Sequence, residues 1–205
     1  MLEFNEERHE YTWNGVIVPS VTQVLQVLGG YEGIPKMILR KAATRGTAVH
    51  KATELYDLGT LDWGTVSDEI FGYLEGWMKF MDDKKPELLS VEKLNYHEKL
   101  GFAGAMDRTM ILDGKKSILD IKSSFKLMPA TAPQTAAYLE MENQHIKKSA
   151  DKFKKRYGLK LTKDGNYELK EYRGATDFSM FISSLNVLKW KVQHSKYDFI
   201  NYNAF

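Results

Sequence analysis

The sequence predicts an α/β (α+β) chain: a central mixed sheet carrying an antiparallel meander, flanked by helices. Three observations predict it. Between Leu89 and Ser123, three strand-like runs are separated by two tight-turn signals, Leu100-Gly101 and Asp113-Gly114. On either side of these runs, apolar residues recur at helical spacing. The composition is that of an ordinary globular chain, 43% hydrophobic and 27% charged over 205 residues. That length supports one sizeable core and leaves little room for a second.

Taken in order, Phe4–Val18 reads as a hairpin turning at Asn14-Gly15. Ser20 then caps a short helix carrying Val21, Val24, Leu25 and Leu28, which Gly29-Gly30 terminates. Pro35–Leu58 is mostly helical, with a break at Gly46-Thr47 where Thr47 caps a new start. A helix over Ser67–Met81 places Ile70, Phe71, Leu74, Met78 and Met81 on one stripe. The meander follows as Leu89–Lys99, Phe102–Leu112 and Lys116–Ser123. A long helix spans Pro133–Tyr157, and Gly158–Thr162 then pairs with Tyr167–Glu171 around Asp164-Gly165. The closing helix, Asp177–His194, buries Phe178, Phe181, Ile182, Leu185, Leu188 and Val192. With no repeat, low-complexity segment or linker, residues 1–205 read as one domain in three parts. These are a hairpin and helices (1–85), a central sheet and helix (86–157), and a hairpin and helix (158–205).

Composition excludes several chemistries. There is no cysteine, so disulfides, thiolate zinc sites and iron–sulfur clusters are ruled out. No apolar run approaches the length that spans a bilayer, and residues 1–10 lack the apolar core of a signal peptide; a cytoplasmic protein without a membrane partner is expected. The net charge of +2 is too mild to indicate a partner. The stretch Lys147–Lys163 concentrates Lys147, Lys148, Lys152, Lys154, Lys155, Arg156, Lys160 and Lys163 against Asp151 alone. It reads either as a solvated helix face or as a phosphate track.

The chemistry concentrates on Ile118-Leu119-Asp120-Ile121-Lys122. Residues two apart on a strand share a face, so Asp120 and Lys122 project together from an otherwise apolar strand. The Asp113-Gly114 turn folds the preceding strand, with Asp107, against it. Two converging carboxylates repel unless a cation sits between them, and hard oxygen donors suit Mg²⁺ or Mn²⁺. A lysine beside such an ion can stabilise charge developing on a phosphate during hydrolysis.

Asp120-Ile121-Lys122 preceded by Gly104-x-x-Asp107 resembles the core of the PD-(D/E)XK nuclease superfamily, with its restriction-endonuclease-like fold. Three further segments resemble motifs of its RecB-like exonuclease branch. Arg45-Gly46-Thr47-Ala48-Val49-His50 matches R-G-T-x-x-H, Gly101–Asp107 matches G-F-x-G-x-x-D, and Gln134-x-x-x-Tyr138 matches Q-x-x-x-Y. The opening His9-Glu10-Tyr11 through Pro19-Ser20-Val21-Thr22 resembles the start of small, often phage-encoded members. The resemblance implies a metal held by His50, Asp107, Asp120 and the backbone carbonyl of Ile121, with Lys122 as the catalytic lysine. The histidine ligand tilts that preference toward Mn²⁺. Gln134 and Tyr138 would orient the site or contact phosphate. Arg45 would bind phosphate or form a structural ion pair, and Glu54 and Glu92 would support the ligands or lie in solvent. Phe102, Phe125 and Tyr138 are candidates to stack on unpaired bases, or core residues. The activity implied is Mg²⁺- or Mn²⁺-dependent DNA exonuclease action in phage-type recombination or end processing, with a single-strand annealing protein as partner. A structure-specific endonuclease of the same fold, or a DNA-binding protein that has lost catalysis, are the alternatives. Many members carry four cysteines for an iron–sulfur cluster; this chain has none.

Overall fold

The computed structural model describes residues 1–30 and 32–194. Its centre is a five-stranded sheet in chain order: β4 (Glu87–His97), β5 (Phe102–Leu112), β6 (Lys115–Lys122), β7 (Lys155–Leu161) and β8 (Tyr167–Glu171). Neighbours run antiparallel except β6 and β7, which are parallel. A parallel pair needs a crossover, and α4 (Thr131–Asn143) supplies it. The α+β class and the mixed sheet with its meander are as the sequence predicts.

A second sheet comprises β1 (Leu2–Asn5), β2 (Glu10–Trp13) and β3 (Val16–Val18). Asn14 and Gly15 both take positive φ, +50° and +78°, the conformation a two-residue hairpin turn demands. Strand β1 extends the expected hairpin to three strands. This sheet packs Tyr11 and Val18 on Ala103 of β5, while Trp13 stacks on Tyr96 of β4.

Helices cover both faces of the central sheet. On one face α2 (Lys36–Asp57) and α3 (Asp68–Lys84) bury Val49, Leu74, Trp77 and Phe80 against Met110, Leu119, Ile121 and Leu159. Full burial of each such large side chain contributes roughly 1.5–3 kcal/mol. On the other face α1 (Val21–Gln26), α4 and α5 (Asp177–His194) bury Val21, Met141, Phe181 and Leu185 against Phe102, Met106 and Ile118. Ser20 and Gln23 complete a capping box at α1.

Four expectations are corrected. Helix α2 is continuous through Gly46-Thr47: the Thr47 hydroxyl donates to the Ala43 carbonyl within the helix instead of capping a new one. One interior glycine costs only about 1 kcal/mol, too little to break a helix packed at Val49 and Ala52. Helix α4 ends at Asn143, not Tyr157. The Asn143 amide brackets Phe153, accepting from its N–H and donating to its carbonyl, and Lys155–Tyr157 belong to β7. The stripe of α3 is rotated: Phe71 is exposed, and Tyr73, Trp77 and Phe80 join Ile70 and Leu74 inside. Val192, expected to be buried on α5, is exposed. The glycines of α3 explain its close approach to the sheet. A Cβ at Gly72 would lie 1.9 Å from the Lys163 carbonyl oxygen, and one at Gly76 2.6 Å from that of Asn166. The helix backbone therefore rests directly on the β7–β8 turn.

Candidate metal centre

The centre is built where the sheet's ladder opens. Strands β4 and β5 are paired at Val91–Arg108 and Lys93–Met106, which leaves Glu92 opposite Asp107 without a bridge between them. Glu92 has φ +44°, the left-handed region that a non-glycine residue enters at a cost. Pairing between β5 and β6 stops at Arg108–Leu119. The backbone groups of Ile121 that this leaves open are taken by side chains. The Ile121 N–H donates to Asp107 Oδ2 at 2.5 Å, and the Ile121 carbonyl lies 3.1 Å from His50 Nε2. A carbonyl only accepts, so Nε2 carries a proton.

Nδ1 of the same ring faces two carboxylates, 3.4 Å from Asp107 Oδ1 and 3.5 Å from Glu92 Oε1. One ligand atom from each of His50, Glu92 and Asp107 lies within 4.8 Å of the others. Burial opposes charge on the His50 imidazole, but Asp107 and Glu92 outweigh it and raise its pKa to about 9. With the ring protonated, the imidazolium balances the pair; a cation between the carboxylates would take the place of its Nδ1 proton. Burial likewise raises the Asp107 carboxyl, against the pull of His50.

Asp120 and Lys122 project together, as strand alternation requires, toward the face covered by α4. Lys122 Nζ lies 2.8 Å from Asp120 Oδ2. Asp120 is 1% exposed, and its Oδ1 has no hydrogen-bond partner among the described residues. Burial pushes its carboxyl up to about 6, opposed by Lys122 and reinforced by the charge of Asp107. Above the pair, α4 presents Gln134 and Tyr138, both buried, with the Gln134 amide donating to the Tyr138 hydroxyl at 3.3 Å. Burial, then the charges of Asp120 and Asp107, raise the Tyr138 hydroxyl far above the ordinary tyrosine range, so it stays protonated. Gly104 makes room for this ring: a Cβ there would stand 3.0 Å from Tyr138 Cε1.

The donors gathered around one point are thus His50, Glu92 and Asp107, with the Ile121 carbonyl on the same imidazole. Asp120, expected among the ligands, is paired with Lys122 beside that group and is not one of the three. Two carboxylate oxygens and one imidazole nitrogen are a donor set that Mn²⁺ or Mg²⁺ accepts.

The support beneath the site was missed at the level of sequence. Arg108 is fully buried on the α2–α3 side of β5. It donates to Asp57 Oδ2 at 2.6 Å, to Glu92 Oε1 at 3.0 Å and to Thr53 Oγ1 at 3.1 Å, and its guanidinium lies over the Trp77 ring. Trp77 Nε1 in turn donates to Asp57 Oδ1. An arginine inside a largely apolar strand was the available signal, since such a charge is buried only with partners.

The other candidates are dispersed. Arg45 donates to the Ser123 carbonyl and lies over Tyr73, while Glu54 pairs with Lys51 on the surface of α2. Only the first part of the lysine-rich stretch, up to Arg156, lies at the far end of the sheet: Lys155 is level with Ser117, whereas Lys160 is level with Lys122 and pairs with Glu168. Lys147, Lys148 and Lys154 are exposed there. Lys155 pairs with Glu171, and buried Arg156 binds Asp177 and the Ala132 and Gly174 carbonyls. The stretch is therefore neither one helix face nor a continuation of α4 leading from the metal centre. Phe102 and Tyr138 are buried, and Phe125 is exposed.

Among the described residues, no helix is long and apolar enough to cross a membrane. The chain matches no protein-family model, and no curated sequence is significantly similar to it.

Proposed function

We propose that this chain is a metal-dependent deoxyribonuclease of the PD-(D/E)XK, RecB-like type, hydrolysing DNA phosphodiester bonds from an end. The observation that carries the reading is the convergence of His50, Glu92 and Asp107 beside the Asp120–Lys122 pair. These groups come from one helix and three strands at the point where the ladder opens. Exonuclease action, a recombination or end-processing role and a single-strand annealing partner are drawn from the motif resemblance.

His50, Glu92 and Asp107 would hold the ion, with the Ile121 carbonyl and Asp120 adjacent. A divalent cation there supplies Lewis acidity toward a phosphate oxygen and acidifies water. The protein's own groups do the remainder. Lys122, partly exposed beside buried Asp120, stabilises negative charge as it develops on the phosphate. Asp120 fixes the position of that ammonium. Arg108 holds Glu92 in its left-handed conformation against the repulsion of Asp107. Gln134 and Tyr138 wall the site from the α4 side.

The test is cleavage of end-labelled linear DNA and covalently closed circular DNA, each with Mn²⁺ and with EDTA, using Lys122→Ala as control. Mn²⁺-dependent loss of the linear substrate alone is expected. Cutting of the circle would establish an endonuclease instead, and equal cleavage by the variant would place the chemistry elsewhere.

A further inference from the structure

The surface beside the metal centre carries an arrangement that the nuclease reading does not use. From Lys36 to Thr53, α2 holds Lys36, Arg40, Lys41, Arg45 and Lys51 and no carboxylate. Its first turns stand clear of the body: Lys36, Arg40 and Lys41 are exposed and, among the described residues, pair with no acid, while Met37 is 69% and Ile38 57% exposed. Beyond Lys122 the chain enters the loop Ser123–Ala130, where Phe125 is 94% exposed.

That loop is tied to the α2 region at two points. The Ser123 carbonyl accepts from Arg45, and the Met128 methyl lies 3.8 Å from where a Cβ on Gly30 would stand, beside the segment leading into α2. The loop therefore runs back alongside the first half of α2, with Phe125 between the anchors and three residues from Lys122. A fully exposed aromatic costs free energy in water, and a cation-rich helix without counter-charges attracts polyanions. The two together fit one ligand class. Phosphates satisfy the cations, and a base face covers the ring. In a duplex the base faces are already stacked, so the ring needs an unpaired base.

We propose that the first half of α2 and the Ser123–Ala130 loop form a seat for single-stranded nucleic acid. Phe125 stacks on an unpaired base, and Lys36, Arg40 and Lys41 contact the backbone leading to the metal centre. This rests on the nuclease reading and assigns its substrate class: an unpaired strand or a frayed end.

The experiment measures binding apart from cleavage. Fluorescence anisotropy in EDTA follows a labelled oligo-dT strand and a blunt duplex of equal length, with wild type, Phe125→Ala and a Lys36→Ala/Arg40→Ala/Lys41→Ala variant. Wild type is expected to prefer the single strand at least tenfold. Phe125→Ala should weaken single-strand binding about tenfold, the scale of one lost stacking contact, and leave duplex binding unchanged. The triple variant should flatten the salt dependence by about 0.7 in log–log slope per lost phosphate contact. All three substitutions lie on exposed positions, so circular dichroism should show an unchanged fold. Equal affinity of Phe125→Ala for the strand, or preferential duplex binding by wild type, would overturn the seat. So would concentration-dependent self-association abolished by Phe125→Ala with strand affinity intact, which would make this face a contact between two copies. The seat fails in that way even if Mn²⁺-dependent cleavage is observed. If cleavage is absent but Phe125→Ala still releases the strand, the nuclease reading fails and the seat stands.

Discussion

Arg108 and Asp57 meet at 2.6 Å between β5 and the end of α2, with both side chains essentially removed from solvent. The same guanidinium reaches Glu92, so one buried cation links the core to the candidate metal centre. Arg108→Met is expected to destabilise the fold by roughly 3–5 kcal/mol, because it leaves Asp57 buried and uncompensated. Arg108→Met with Asp57→Asn should recover much of that loss. Urea denaturation of the two variants decides it: equal midpoints would mean the pair is not the source of the cost.

The proposed metal binding and the proposed catalysis should be separable by residue. Asp107→Asn is expected to abolish Mn²⁺ binding, measured by titration calorimetry, together with the Mn²⁺-induced rise in melting temperature. That rise corresponds to about 2.7 kcal/mol at a hundredfold excess over Kd. Lys122→Ala should retain both and lose cleavage by roughly 10²–10³-fold, the scale of one transition-state charge stabiliser. A Lys122→Ala variant unable to bind Mn²⁺ would give the lysine a different role.

The lysines at the far end of the sheet should be dispensable for turnover. A Lys147→Ala/Lys148→Ala/Lys154→Ala variant is expected to keep kcat and KM within about twofold, since rim charges distant from a site contribute little. Arg156→Ala, by contrast, should lower the melting temperature, because it strips a buried residue from Asp177 and two carbonyls. A large rise in KM for the triple variant would show that substrate reaches that end.

Gly72→Ala should destabilise the chain more than an ordinary glycine-to-alanine change, which in a helix is favourable. The added methyl has backbone, not a flexible side chain, in its way. Overpacking of this kind costs roughly 1–3 kcal/mol or more. A thermal midpoint at or above wild type would mean that α3 shifts freely on the β7–β8 turn.

Most of the fold was legible because its elements announce their ends. Asn14-Gly15, Asp113-Gly114 and Ser20 each mark a boundary by local chemistry, and those boundaries hold. The end of α4 was not legible. Its stop depends on the Asn143 side chain bonding Phe153, ten residues on, and lysines favourable to helix disguised the start of β7. At the centre, strand alternation sufficed to place Asp120 beside Lys122, and the turn at Asp113 brought Asp107 alongside. The closeness of Glu92 to His50 was harder to read, because a left-handed residue interrupts the alternation of β4. The Arg108 network joins α2, α3 and two strands, and no periodicity within one segment encodes such a contact.

The alternation of β6 has a consequence for how this protein can change. Leu119 and Ile121 belong to one core, while Asp120 and Lys122 face the other side. Core and centre therefore share a single reading frame of side chains. Inserting or deleting one residue between Lys116 and Lys122 would turn Asp120 and Lys122 into the α2–α3 core and expel its leucine and isoleucine. Substitution can retune this centre one group at a time, whereas a change of length within the strand forfeits packing and chemistry together. The turns at either end of the meander are where the chain can grow or shrink without crossing that frame.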